Sequence, residues 1–267
     1  MEDNTHKQLN NLVYSCMDQK QRSSEQVVLE HSLGYIISGE VHFQTADGVT
    51  VLKENTIGMI RKNQLVKSVK VPPPGGVFKS LNIFITREFL QRYAAENRIA
   101  PVGKYTGEPM MELSPDPFLK GYFDSLIPYF DHGMAIPQTL ADIKTKEAVE
   151  LILRGRPKLS EFLFDFSEPY KIDLEAYMAK NYMFNIPMAQ FARLTGRSLA
   201  SFKRDFEKIF KTSPGQWLQQ KRLSEAHYLI SKKGRKPSDV YLDVGFENLS
   251  HFSYTFKKAF GVAPSMV

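Results

Sequence analysis

The chain has 267 residues, 42% hydrophobic and 24% charged, with a formal charge of +6 and a mean hydropathy of −0.32. That is enough apolar material for packed cores; it excludes wholesale disorder, and the length suits one or two domains. A single cysteine, Cys16, excludes an intramolecular disulfide and a cysteine-rich zinc site, and no apolar run approaches a leader's h-region or the ~20 residues of a membrane span. A cytoplasmic protein with no membrane segment is expected.

Residues 1–24 are polar and read as a loosely ordered N-terminal segment. From Gln26 to Thr86 short β-branched runs alternate with turn signals, and Asp47-Gly48 between "VHFQT" and "VTVL" predicts a hairpin. "VPPPGG" (Val71–Gly76) bars regular structure, and "VFKSLNIFIT" (Val77–Thr86) reads as a further strand. Six or more short strands at this spacing predict a small antiparallel barrel or sandwich. Metal chemistry in such a barrel needs several histidines and an acid converging on one ion. The strand region offers only His31 and His42, with no His-x-His pair, and His31 is expected to be satisfied or exposed. No phosphate-binding glycine loop, nucleophile elbow or paired-carboxylate motif occurs, so no catalytic residue, metal ligand or cofactor is assigned.

After Thr86 the apolar period becomes helical in "REFLQRYAAENRI", "DPFLKGYFDSLIPYFDHG" and "TLADIKTKEAVELILRGRPKLSEFLFDF". In the last, Leu140, Ile143, Ala148, Leu151, Ile152, Leu159, Phe162 and Leu163 form a broad stripe, which makes the helices in 138–166 the expected face of a homodimer. A boundary is expected at 167–172, where Pro169 interrupts the helix; Asp173 then caps the next one, with Glu168 and Glu175 favouring its start.

The charge is unevenly placed. Lys171–Val267 carries 16 basic and 8 acidic residues, residues 1–170 carry 19 and 21. A basic last third is the electrostatic footprint of a polyanion binder. The same third contains a repeat: "LASFKRDFEKIFKTSP" (Leu199–Pro214) and "LSHFSYTFKKAFGVAP" (Leu249–Pro264) share leucine, three phenylalanines, lysine and proline at an offset of 50. Upstream, "ARLTG" (Ala192–Gly196) matches "YLDVG" (Tyr241–Gly245) at an offset of 49, so the second copy has one extra residue in its turn. Each copy is a short helix, a glycine turn, a Ser198 or Asn248 cap, and a helix with one phenylalanine stripe opposite a polar, basic face. That is the helix-turn-helix pattern, and Trp217, Leu218, Leu223, Ala226, Leu229 and Ile230 mark a connecting helix between the copies. Two such units about 34 Å apart reach successive major grooves on one face of duplex DNA.

"SDVYLDVGFENLSHFSYTFKKAFGVAPS" resembles the signature of the AraC/XylS family of bacterial transcription regulators through Gly245-Phe246, Asn248, Ser250, Phe252, Phe256-Lys257-Lys258, Phe260-Gly261 and Pro264. The resemblance covers roughly residues 172–267. More weakly, "LGYIISGEVHF" and "GMIRKNQLVKS" resemble the cupin-like N-terminal domains of many members. It implies an α+β chain: a small antiparallel, cupin-like β-barrel with flanking helices, then an all-α domain of two tandem helix-turn-helix units joined by a connecting helix. The divisions expected are a polar segment at 1–24, a sensing or dimerisation domain at 25–166, a linker at 167–172 and a DNA-binding domain at 173–267.

By residue, the resemblance implies base reading by Ala200, Ser201, Lys203 and Arg204 of the first unit and by Ser250, His251, Ser253 and Tyr254 of the second. Arg204 is the candidate for a bidentate guanine contact, and Lys208, Lys211, Lys257 and Lys258 for phosphates. Three positions depart from the family. Tyr254 replaces a basic residue and weakens the second unit, Tyr241 replaces a small alanine between the paired helices, and Lys211 stands where the second copy has Gly261. In the family the turn after the proline leads to a Tyr/Phe-Arg pair and a final short helix, whereas this sequence stops at "PSMV"; if that cap is absent, the second unit is expected to be less well packed and more mobile than the first and, with Tyr254, the weaker reader. The expectation is a sequence-specific DNA-binding regulator, an activator working with RNA polymerase, whose front half answers to an effector or regulatory protein. The alternative is a cupin-type small-molecule-binding protein or enzyme with a basic accessory domain.

Overall fold

A computed structural model describes residues 5–22, 27–100, 103–113, 116–132, 135–167 and 170–267. Glu168 and Pro169, on which the expected boundary rests, and Gln26, where the strand region was expected to begin, lie outside these residues. The chain divides into two compact units, Met1–Ser167 and Glu168–Val267.

The first unit runs β1 (Thr5–Leu9), β2 (Leu12–Met17), β3 (Gln21–Arg22), β4 (Val27–Val28), β5 (His31–Ser38), β6 (Glu40–Gln44), β7 (Val49–Leu52), β8 (Ile57–Ile60), β9 (Gln64–Leu65), β10 (Lys67–Val71), β11 (Phe78–Ile85), α1 (Arg87–Glu96), β12 (Met110–Leu113), α2 (Pro117–Asp124), α3 (Ile127–Asp131), α4 (Gln138–Gly155) and α5 (Leu159–Leu163). The strands form a six-stranded sheet in the order β1-β2-β11-β5-β8-β12, a four-stranded sheet β3-β10-β6-β7 and the pair β4-β9. This corrects the expected barrel: the strands divide among separate antiparallel sheets, and no closed ring of pairing occurs among the described residues.

The alternation of side chains across the strands explains the layering. Leu33, Tyr35, Leu81, Ile83 and Ile85 face a large core shared with Tyr93, Phe123, Val149 and Phe162 from the helices. Met17, Ile36 and Phe78 face the other way and meet Val41 and Leu52 of the four-stranded sheet, with Phe43 packed alongside. At β2, β5 and β11 the six-stranded sheet is therefore packed on both faces, by helices on one and by the second sheet on the other. β1 and β12 stand at its two edges and do not pair with each other.

The N-terminal segment is also corrected. Residues 5–17 form the hairpin β1-β2, and Leu12, Val13, Cys16 and Met17 are buried in the sheet. Asn10 makes the turn at φ 54°, a conformation asparagine tolerates. The predicted hairpin at Asp47-Gly48 is present, with Gln44 opposite Val49. Thr86 caps α1 by accepting from the Phe89 N–H, and Asp116 caps α2 by accepting from Phe118 and Leu119. In α4 the buried side is Ala141, Thr145, Ala148, Val149 and Ile152, which leaves Ile143 of the expected stripe 61% exposed. His31 is fully buried and neither ring nitrogen has a hydrogen-bond partner, against the expectation of a satisfied or exposed histidine.

The second unit is helical: α6 (Leu174–Asn181), α7 (Met188–Leu194), α8 (Leu199–Phe210), α9 (Pro214–Ser231), α10 (Pro237–Asp243), α11 (Leu249–Phe260) and a closing 3₁₀ turn, Pro264–Met266. The repeat is structural as well as sequential. α8 and α11 have the same length, and each ends in a left-handed residue, Lys211 at φ 57° and Gly261 at φ 78°. Glycine adopts that conformation freely, whereas a side chain costs about 1 kcal/mol or more. Replacing the exposed Lys211 by glycine is accordingly expected to stabilise the second unit by about 0.5–1 kcal/mol, read as a rise in its thermal midpoint.

Candidate nucleic-acid interface

The two candidate reading helices are built alike. Ser198 accepts from the Ser201 N–H and Asn248 from the His251 N–H, so each helix begins on a side-chain cap. Before each cap lies a glycine turn, Gly196 at φ 66° and Gly245 at φ 98°. The residue after each glycine returns its N–H to the preceding helix, Arg197 to Ala192 O and Phe246 to Tyr241 O, both at 2.9 Å. The next residue is the cap in the first unit, but Glu247 intervenes in the second; this is the extra residue of the 49-to-50 offset.

Burial assigns the faces. Phe202, Phe206, Phe252 and Phe256 are fully buried. Opposite them, Ala200, Lys203 and Arg204 are exposed and Ser201 half-buried on α8; Ser250, His251 and Tyr254 are exposed and Ser253 half-buried on α11. All eight expected reading positions thus lie on the two outward faces, in the first two turns of each helix. The Arg204 side chain is 79% exposed, its nearest contacts being Ser201 Oγ at 3.5 Å and Asp205 at 4.0 Å. Tyr254 is 70% exposed. Lys208, Lys211, Lys257 and Lys258 are exposed later on the same helices or at the cap.

Asp205, the one acid on the reading side of α8's first two turns, is already engaged. It accepts from Lys171 at 3.0 Å and Arg197 at 3.1 Å, and those hydrogen bonds hold its carboxyl below the ordinary range. Arg197 also donates to Ile172 O, so residues 171–172, expected as linker, are tied to the α7–α8 turn. This leaves Arg204 free of a tight intramolecular partner.

The two helices differ in what packs behind them. Phe210 lies tilted against Trp217 at 4.8 Å, whereas Phe260 lies against His227 at 4.7 Å and stays 37% exposed. Tyr241 is accommodated beside Phe252 at 6.5 Å. One basic feature went unassigned in the sequence, although the run "KKGRK" was visible there: Lys232, Lys233 and Lys236 stand exposed in the turn that leads into α10. In the first unit, no group of three or more His, Cys, Asp or Glu residues able to hold a metal occurs among the described residues; His42 is paired with Glu40 at 2.6 Å. No described helix is long and apolar enough to cross a membrane.

A basic helical unit presenting two equivalent capped helices, following a sheet-and-helix unit in the chain, describes a DNA-binding transcription regulator. Residues 191–267 match the family model for a helix-turn-helix domain, and residues 31–163 that for the ExsA N-terminal regulatory domain. The chain belongs to the AraC-type transcription regulators, a family of regulators and not of enzymes. It is 24% identical to the HTH-type transcriptional regulator ExsA of Pseudomonas aeruginosa, over 88% of this chain and 85% of that one. It is 23% identical to the thermoregulatory protein LcrF of Yersinia pestis, over 89% and 90%. Among solved structures, apo ToxT from Vibrio cholerae aligns over 96% of both chains with 11% identity and a TM-score of 0.48.

Proposed function

We propose that this protein activates transcription by reading an asymmetric DNA site with two tandem helix-turn-helix units, α7–α8 and α10–α11. The observation that carries this reading is the pairing of α8 and α11: equal lengths, equivalent caps, buried phenylalanines and outward polar faces. Arg204 and Lys203 give the first helix a charged reading face. Ser250, His251, Ser253 and Tyr254 give the second a face without lysine or arginine, suited to hydroxyl contacts and to packing on thymine methyls. Lys208, Lys211, Lys257 and Lys258, together with Lys232, Lys233 and Lys236, supply phosphate contacts, which position the protein without specifying sequence. Virulence regulon transcriptional activators are among the similar proteins, which supports activation and, with it, contact with RNA polymerase in the cytoplasm.

The first unit is read as a regulatory module for a protein partner. Met17, Ile36, Val41, Leu52 and Phe78 fill the space between its sheets, where a small ligand would need a cavity. Its exposed Ile143 on α4 suits the expected homodimer face. Mapping bound sites across the genome, followed by footprinting, tests the DNA reading: protection of two adjacent major grooves supports it, and protection of one refutes the tandem arrangement. On such a site Lys257→Ala is expected to weaken binding equally on all sequences and to lower the slope of log K against log salt by about one; the triple change Lys232→Ala, Lys233→Ala, Lys236→Ala lowers it by about two to three. An unchanged slope removes those lysines from the interface.

A further inference from the structure

Beyond the reading helices, one side chain joins the two halves of the helical unit. Arg222 lies in the middle of α9 and its guanidinium reaches two separate segments. Its Nε donates to Tyr182 O at 2.8 Å and its Nη2 to Phe184 O at 2.7 Å. Its Nη1 donates to Gly245 O at 3.0 Å and to Asn185 Oδ1 at 3.3 Å. Residues 182–185 lead into α7 and so into the first unit; Gly245 is the turn of the second. All four acceptors are neutral oxygens, three of them backbone carbonyls; the Glu247 charge acts on the guanidinium as well, and the geometry is set by the planar fork. Burial lowers the Arg222 pKa to about 10, which leaves it cationic at neutral pH.

Each half also has packing of its own. The second unit has its own core of Leu223, Ala226, Ile230, Val240, Phe252 and Phe256. The first packs Phe206 and Phe210 on Trp217. Between them a cleft of about 600 Å³ opens, lined by Ile186 and Met188 on one side and by Phe246 and His251 on the other. Gly245 shows how close the backbones come at its floor. A Cβ there would stand 2.7 Å from Met183 O and 2.9 Å from Arg222 Nε, and φ is +98°.

We propose that Arg222 is a positioning residue that holds α8 and α11 at one separation and thereby sets the half-site spacing the protein accepts. The claim about spacing rests on both helices reading DNA; the claim about separation does not. One added base pair moves a half-site by about 3.4 Å and turns it by roughly 34°, a change a braced pair of helices does not follow. Lysine in place of Arg222 offers three donors from a single point and cannot serve both segments.

The test uses the full chain with spin labels on Glu207→Cys and Lys257→Cys, both exposed positions, with and without Arg222→Lys. The arginine form is expected to give one narrow distance distribution, and the lysine form a broad or shifted one. In parallel, the unlabelled proteins are titrated with the mapped site, with the same site carrying one inserted base pair, and with a duplex bearing only the first half-site. Arginine is expected to prefer the native spacing at least tenfold and lysine less than threefold, with binding to the isolated half-site within twofold of each other. Gly245→Ala keeps the arginine but wedges the same seam, and gives the same two changes if Arg222→Lys fails to fold. An unaltered distance distribution, or a spacing preference retained by both variants, overturns the proposal. If the arginine protein itself ignores spacing, the tandem reading fails, and the distances alone then judge the brace.

Discussion

Acidification from about pH 6.5 to about pH 3 is expected to cost the first unit on the order of 4–5 kcal/mol of stability through His31 alone. His31 sits at the start of β5, fully buried, 5.1 Å from the Phe162 ring, with no hydrogen-bond partner for either nitrogen. Burial, and then the nearby Lys62 and Arg61 charges, lower its pKa to about 3; Asp165 opposes them only in part. The folded state therefore keeps the imidazole neutral across a range in which the unfolded chain binds a proton. Below the unfolded pKa of 6.5 each pH unit removes about 1.4 kcal/mol, until the folded state also protonates near pH 3. Asp165 adds to the loss at the acid end. Burial raises its pKa, but hydrogen bonds from the Ser167 hydroxyl and N–H and the Tyr105 N–H, with the Arg61 charge, bring it below the ordinary carboxylate range. Denaturant melts at pH 7 and pH 4.5 read the effect. His31→Phe is expected to flatten the dependence over this range, and a histidine form whose stability is the same at both values would refute the assignment.

Arg204→Ala is expected to cost about 1–3 kcal/mol on a cognate site and to relax base preference at one position. The arginine is exposed in the second turn of α8, and the carboxylate beside it is already held by Lys171 and Arg197. Its guanidinium therefore enters a groove without first breaking a strong ion pair. A bidentate contact with guanine O6 and N7 predicts that substituting that one base pair costs the wild type as much as the mutation does, and costs the mutant almost nothing more. Competition binding over a set of singly substituted duplexes measures this. Equal loss on every duplex makes Arg204 a phosphate contact instead.

The helical unit was legible in the sequence because its signals are local. Phenylalanines spaced by four, a cap before each helix, a glycine before each cap and a proline after each repeat all fall within about 20 residues of one another. The front unit was less so. Whether strands close into a ring depends on which distant segments pair, and β11 lies between β2 and β5, a neighbour relation that no local pattern encodes. The β1-β2 hairpin was hidden by its polar strand: His6, Lys7 and Gln8 masked the buried Leu12, Val13, Cys16 and Met17 that follow. The stripe of α4 divides in the structure: its buried side runs through Ala141 and Thr145, small residues that carry little hydrophobic signal, while Ile143 lies exposed. The bracing proposed for Arg222 has no sequence signal, since three of its four acceptors are backbone carbonyls 23 to 40 residues away and a carbonyl has no sequence signature.

The connecting helix α9 belongs to both halves of the unit it spans. Its first turn contributes Trp217 to the aromatic stack of one half, while Leu223, Ala226 and Ile230 belong to the core of the other. Neither half buries enough apolar surface by itself for much independent stability. Disorder in one therefore strips α9 of half its support, and the damage travels along the shared rod to the other. The two readers are therefore expected to melt as a single cooperative foldon, with hydrogen exchange in α8 and α11 giving the same opening free energy.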